Sequence, residues 1–88
     1  MRPYYTYVIQ SEKDGQWYTG FTNDIRKRIQ EDNKGLVFST KGRCPWRLIY
    51  YEGCLNEKDA RAREEYLKSG MGKRYIRNRL KFFLCKEI

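Results

Sequence analysis

The chain has 88 residues, and its 19 lysines and arginines exceed its 11 acidic residues to give a net charge of +8. This length predicts one domain spanning residues 1–88 with a small core, and the basic charge favours nucleic acid as partner. The chain has no histidine and no CxxC pair, which argues against a zinc or haem site and against His-dependent catalysis. It also has no apolar run long enough to span a membrane, so we expect a cytoplasmic protein without a membrane partner.

The first half of the sequence predicts a hairpin followed by a helix. Residues 4–11 are rich in Tyr, Val and Ile and form the first predicted strand. Asp14 and Gly15 predict a two-residue turn into a return strand over residues 16–22. Thr22 or Asn23 is expected to cap a helix that ends near residue 33.

The second half predicts one more strand and two more helices. A basic loop over residues 34–45 leads into a strand over 46–52. A helix then opens at Asn56 and stops at Gly70, and another begins near Lys73. The order ββαβαα predicts an α+β, sandwich-like fold, with a small three-stranded, mostly antiparallel sheet flanked by helices. The last helix is expected to carry on one side Ile76, Leu80, Phe83 and Leu84.

The predicted hairpin brings two tyrosines together. A two-residue turn places Tyr7 opposite Thr22, and alternation then puts Tyr7, Tyr18 and Gly20 on one face of the sheet. On these residues alone, a tyrosine-rich core face over a bulge is the preferred interpretation. A site is the alternative, because the glycine leaves space between the strands.

One acidic residue falls on an apolar helix stripe. Glu64 lies four residues after Ala60 and three before Leu67, so it faces the core with them. Burying an unpaired carboxylate is expensive. Its partner is therefore expected to be a lysine, an arginine or a metal ion.

These residues resemble the GIY-YIG nuclease superfamily. Tyr5-Thr6-Tyr7 and Tyr18-Thr19-Gly20 resemble its two half-motifs, although only Tyr7 of the first remains. Arg28 falls at the position of the family's arginine, and residues 63–70 resemble the helix that bears its metal-binding glutamate. The loop at Ser39-Thr40 and the strand after Pro45 are similar to those of small stand-alone bacterial members, which are akin to the N-terminal module of the nucleotide-excision-repair excinuclease.

The resemblance implies a metal-dependent endonuclease that hydrolyses phosphodiester bonds in DNA, in repair or processing. It implies that Glu64 holds Mg²⁺ or Mn²⁺ and that Arg28 clamps a phosphate oxygen. Tyr7 is the candidate general base, Tyr18 would orient water or phosphate, and Gly20 would leave room for the substrate backbone. Further candidate contacts to nucleic acid are the basic residues Lys41, Arg43, Lys73 and Arg74.

One residue departs from the family pattern. The family commonly carries a histidine one turn after its arginine, where this chain has Asp32. Asp32 is expected either to pair with Arg28 at i+4 or to add a second metal ligand. The alternatives to an active enzyme are a catalytically impaired nucleic-acid-binding module with the same fold and a protein-interaction domain. We expect a monomer or weak dimer, with repair proteins as candidate partners.

Overall fold

Three strands form one antiparallel sheet, in which the first strand of the sequence lies between the second and the third. The computed structural model describes residues 2–85. The strands are β1 (Tyr4–Ser11), β2 (Trp17–Thr22) and β3 (Trp46–Cys54). The helices are α1 (Ile25–Asn33), α2 (Glu57–Lys68), α3 (Gly70–Arg79) and the short α4 (Lys81–Cys85). The sheet and its flanking helices confirm the predicted α+β class.

The hairpin differs from the prediction in its register. Tyr7 pairs with Gly20 and Ile9 with Tyr18, two residues away from the expected pairing. The prediction of a two-residue turn is wrong, because a wider loop joins the two strands. This loop is closed by a hydrogen bond from the Ser11 amide to the carbonyl of Gln16. Gly15 adopts φ 74° within that loop. A shift of two residues keeps every side chain on its face, so Tyr7, Tyr18 and Gly20 still share one face.

Each face of the sheet carries its own core cluster. On one face Tyr7, Ile9 and Trp46 are buried, with Ile25 and Ile29 of α1 packed against them. The opposite face is covered by α2 and α3, and its buried members are Val8, Ile49, Leu67 and Ile76. Within residues 2–85, no helix combines the length and apolar character needed to cross a bilayer.

The helices α1 and α2 each begin after a polar residue whose side chain caps the helix, but only one of the two caps is the predicted residue. The cap of α1 is Asp24, whose side chain accepts from the Lys27 amide at 3.2 Å, and not Thr22 or Asn23. Thr22 instead accepts from the Asp24 amide through its hydroxyl. Asn56 caps α2 as predicted, accepting from the Lys58 amide at 2.8 Å.

At the junction of α2 and α3, the end of α2 at Lys68 agrees with the predicted stop near Ser69, but the next helix begins earlier than predicted. Gly70 is the first residue of α3, which begins three residues before Lys73, and Ser69 caps it by accepting from the Gly72 amide. The predicted last helix is also divided, because α3 ends at Arg79 and Phe83 lies in α4 with 39% exposure.

Gly72 is expected to be essential to this tight junction. A Cβ at this position would clash with the backbone of Tyr66 and Leu67, which cannot move aside as a flexible side chain can. We predict that Gly72→Ala lowers the free energy of unfolding by about 1–3 kcal/mol. Gly70→Ala is the matched control, because a Cβ there meets no described atom within 4 Å. Urea unfolding of both variants measures the difference, and equal midpoints would contradict the close approach.

Candidate functional site

Edge strand β2 carries one candidate residue to the surface. The Tyr18 hydroxyl lies 3.1 Å from the Ser39 hydroxyl in an exposed hydrogen bond. A shallow hollow of about 220 Å³ runs beside this tyrosine. Its lining residues are Trp17, Tyr18, Thr19, Lys68 and Lys73. The hollow therefore joins the edge of the sheet to basic side chains of α2 and α3.

Tyr7, by contrast, lies entirely inside the protein. Its side chain is buried, and its phenol passes over Gly20 on the neighbouring strand. A Cβ on Gly20 would lie 2.5 Å from the Tyr7 hydroxyl oxygen. The space at Gly20 is thus filled by Tyr7, which corrects the prediction that this glycine leaves room for substrate.

Asp32 is the buried acidic centre of the site. Its side chain is 0% exposed, and Thr40 donates to its Oδ1 atom at 2.7 Å. The Tyr7 hydroxyl donates to Oδ2 at 3.4 Å, and the Nε atom of Arg28 lies 3.6 Å from Oδ1. The expected i+4 pair with Arg28 is therefore present. The second-ligand alternative is not supported, because both carboxylate oxygens face protein donors in the described part of the chain and the side chain is shielded from solvent.

Arg28 connects this buried centre to the surface. Its side chain is 23% exposed, and its guanidinium carbon lies 5.8 Å from the centroid of the Tyr7 ring. Nη1 donates to the carbonyl of Phe21 in β2 at 3.5 Å. Nε is buried without a hydrogen-bond partner among residues 2–85, so its compensation is the charge of Asp32. The Nε atom is therefore held inside the protein, while the side chain as a whole stays 23% exposed.

This environment keeps Tyr7 protonated. Burial raises the pKa of Tyr7 well above its ordinary value of 10.0, and the negative charge of Asp32 raises it further. The positive charge of Arg28 acts in the opposite direction without offsetting these effects. A buried phenol that donates to a carboxylate is poorly suited to accept a proton from water, so this geometry does not support Tyr7 as general base.

Glu64 lies on α2 with a lysine as its partner. Its side chain is 17% exposed, and Oε2 lies 3.0 Å from Nζ of Lys68, which is itself 52% exposed. Of the three partners expected from the sequence, the structure contains the lysine. Lys68 also lines the hollow beside Tyr18, so the hollow is linked to Glu64 through this ion pair.

The surroundings of Glu64 suit a cation that keeps most of its water ligands better than one that is held by several protein side chains. The chain from residue 2 to 85 contains no group of three acidic, histidine or cysteine side chains that could hold a metal ion. Mg²⁺ commonly keeps several waters and binds through one or two carboxylates with substrate phosphates. A single carboxylate such as that of Glu64 is compatible with this mode of binding.

The predicted nucleic-acid contacts are dispersed over two surfaces. Lys73 lines the hollow beside β2, and Arg74 is exposed on the same helix. Lys41 lies over the ring of Phe38 at 4.9 Å, and Arg43 lies over the ring of Trp46 at 5.0 Å. The structure therefore brings Lys73 to the hollow and places Lys41 and Arg43 on the loop before β3.

Sequence reasoning missed two residues that complete the site. Thr40 is buried, and besides its bond to Asp32 its carbonyl accepts from Nε1 of Trp46 at 2.9 Å. Lys68 is the partner of Glu64. The Lys68 pair could have been found from its i+4 spacing, whereas a threonine inside a polar loop gives no periodic signal.

Comparisons with known proteins agree with this architecture. The family profile of the GIY-YIG catalytic domain matches residues 3–85. The chain therefore belongs to the GIY-YIG family, whose domain is nuclease-like and acts on nucleic acid. Within it, the relatives are small stand-alone proteins of the UPF0213 group.

Three of these relatives illustrate how similar the chain is to the UPF0213 group. The chain is 42% identical over 65 residues to UPF0213 protein CPE1444 of Clostridium perfringens, covering 73% of this chain and 69% of the relative. It is 39% identical over 67 residues to UPF0213 protein YazA of Bacillus subtilis, covering 74% and 66%. The solution NMR structure of UPF0213 protein BH0048 from Bacillus halodurans is similar with a TM-score of 0.52 and 31% identity, covering 84% and 81%.

The raised pKa of Tyr7 predicts a specific loss of stability in alkali. Unfolded Tyr7 ionises near pH 10 and folded Tyr7 only above that, so the unfolded state loses its proton first. The stabilisation is complete below pH 10 and declines as pH rises toward the folded pKa, by up to about 1.4 kcal/mol per pH unit. Tyr7→Phe lacks this decline. We expect the stability gap between wild type and variant to shrink above pH 10.

Urea unfolding from pH 8 to 11 measures that gap. Tyr51→Phe, at a ring that is 56% exposed, controls for the removal of one phenol. A gap between wild type and Tyr7→Phe that stays constant across the series would show that the Tyr7 phenol ionises equally in both states.

Proposed function

We propose that this chain is a metal-dependent endonuclease that hydrolyses phosphodiester bonds in DNA. The observation that carries the proposal is that three candidate groups are each tied to β2. Tyr18 belongs to this strand, Arg28 donates to the carbonyl of Phe21 in it, and Lys68, the partner of Glu64, lines the hollow beside it. Membership of the GIY-YIG family supports the reaction class.

Each group has a role that suits its exposure. Arg28 would donate to a non-bridging phosphate oxygen with the part of its guanidinium that reaches solvent, stabilising charge that builds during displacement. Tyr18 would orient the attacking water, because its hydroxyl is the one that reaches the surface. Tyr7 would act beneath them by holding Asp32 and supporting Arg28 with its ring.

Glu64 would hold the divalent cation, Mg²⁺ or Mn²⁺. When bound, such an ion lowers the pKa of water and offsets negative charge on the phosphate. Lys68 would have to release the carboxylate. The Lys68 side chain is 52% exposed, so its ammonium could be hydrated once the carboxylate is released.

A second candidate function is supported by the pairing itself. Arg28 faces Asp32, and Glu64 faces Lys68, so both groups needed for hydrolysis already have partners of opposite charge. A nucleic-acid-binding module without hydrolysis would keep both pairs. Cleavage in the presence of metal distinguishes the two functions.

Removal of the Glu64 carboxylate tests the enzyme. We predict that Glu64→Gln abolishes metal-dependent nicking of plasmid DNA while thermal unfolding stays near wild type, because the amide keeps the size of the side chain without its charge. Glu65→Gln, on the exposed neighbouring residue, is the matched control and should nick normally. Incubation with Mg²⁺, Mn²⁺ or chelator gives the readout. Wild-type nicking by Glu64→Gln would refute the assignment of Glu64.

Salt dependence tests the basic surface of α3. We predict that DNA affinity falls steeply with salt and that Lys73→Ala with Arg74→Ala lowers the slope of log affinity against log salt by up to about 2, since each phosphate contact contributes about 0.9. The control variant combines Lys27→Ala and Lys58→Ala, at exposed lysines that do not line the hollow. An equal change of the slope in both variants would show that α3 does not contact DNA. A wild-type affinity that does not vary with salt would contradict nucleic acid as the partner.

A further inference from the structure

Phe38 is an exposed aromatic ring on a firmly anchored turn. The ring is 85% exposed, whereas Thr40, two residues later, is 0% exposed and donates to Asp32. The Thr40 and Lys41 amides both donate to the carbonyl of Val37, at 3.1 and 2.9 Å, and close the turn around the ring. The outward position of Phe38 is therefore built into the turn.

The same turn places this ring beside the proposed site. Ser39, the next residue, forms the hydrogen bond to the Tyr18 hydroxyl. Lys41 lies with its ammonium 4.9 Å from the centroid of the Phe38 ring. A flat apolar surface thus adjoins both a candidate catalytic hydroxyl and a cation that could contact phosphate.

We propose that Phe38 stacks on an unpaired nucleobase next to the phosphate that is cut, so that the substrate is DNA with a displaced or single-stranded base. This inference rests on the proposed function and specifies its substrate class. Bases inside an intact duplex offer only their edges, because their faces are stacked on one another. A protruding ring can use a base face only where the strand has opened.

The surrounding charge favours a nucleic acid over a peptide as the occupant. The loop that carries Phe38 also carries Lys34, Lys41 and Arg43, and residues 34–45 contain no acidic side chain. Stacking on an aromatic side chain is tolerant of sequence, because every base has a π face. The ring would therefore select the opened state of the strand and not a particular base.

The experiment compares two DNA molecules that share one strand, a fully paired duplex and a fork whose second strand is not complementary beyond the junction. Both carry 2-aminopurine at the first position past the junction, and binding is measured by fluorescence anisotropy in the Glu64→Gln background so that cleavage does not interfere. Phe38→Leu keeps an apolar side chain but removes the π face. We expect it to bind the fork about 5- to 150-fold more weakly and the duplex unchanged.

Two variants sharpen this comparison. Phe38→Trp keeps a ring and should restore fork binding together with the quenching of 2-aminopurine by stacking. Leu36→Ala, at a 70% exposed aliphatic residue of the same loop, should bind both molecules normally.

The outcomes separate this inference from the function on which it rests. Equal losses on fork and duplex, or no loss on either, would overturn the stacking role while leaving the nuclease proposal intact. A failure of the parent protein to bind either DNA would overturn both, and binding of a protein partner through Phe38 would then be the remaining use of the ring.

Discussion

The buried carboxylate of Asp32 is the group around which this site is organised. A charge removed from water is tolerated only where donors and opposite charge surround it. Here those groups come from three separate segments, namely Tyr7 of β1, Arg28 of α1 and Thr40 of the following loop. Because each must be in place to compensate the carboxylate, one side chain fixes the relative positions of strand, helix and loop.

That arrangement divides the site into an inner and an outer layer. Tyr7 is committed to the inside, and the space that it needs is supplied by Gly20 on β2. The outer layer is formed by groups whose inner contacts are already satisfied. Arg28 is held from within by Asp32, and Ser39, beside the anchored Thr40, reaches the hydroxyl of Tyr18. Hydrogen bonds and ion pairs from buried residues orient surface side chains with the precision that catalysis requires.

Sequence patterns predicted what depends on local periodicity and missed what depends on contacts between distant segments. Alternation correctly placed Tyr7, Tyr18 and Gly20 on one face of the sheet. The predicted register was wrong by two residues, but a shift of two residues leaves each side chain on the same face. The end of α2 before Gly70 was predicted, whereas the start of α3 at Gly70 was missed, because a glycine next to a helix end usually marks only a stop. The inward orientation of Asp32 could not be predicted at all, since an i+4 pair with Arg28 forms equally well on an exposed helix face.

The contrast between the two acidic residues of the site follows from their partners and not from their spacing. Asp32 and Glu64 each have a cation at i±4, yet Asp32 is fully buried and also bonded by Thr40, whereas Glu64 faces a lysine that is 52% exposed. Removing a partner from Asp32 would therefore leave an uncompensated buried charge. The same sequence spacing thus produces, on α1, an ion pair whose carboxylate is fully buried and has an additional donor and, on α2, an ion pair with a half-exposed lysine.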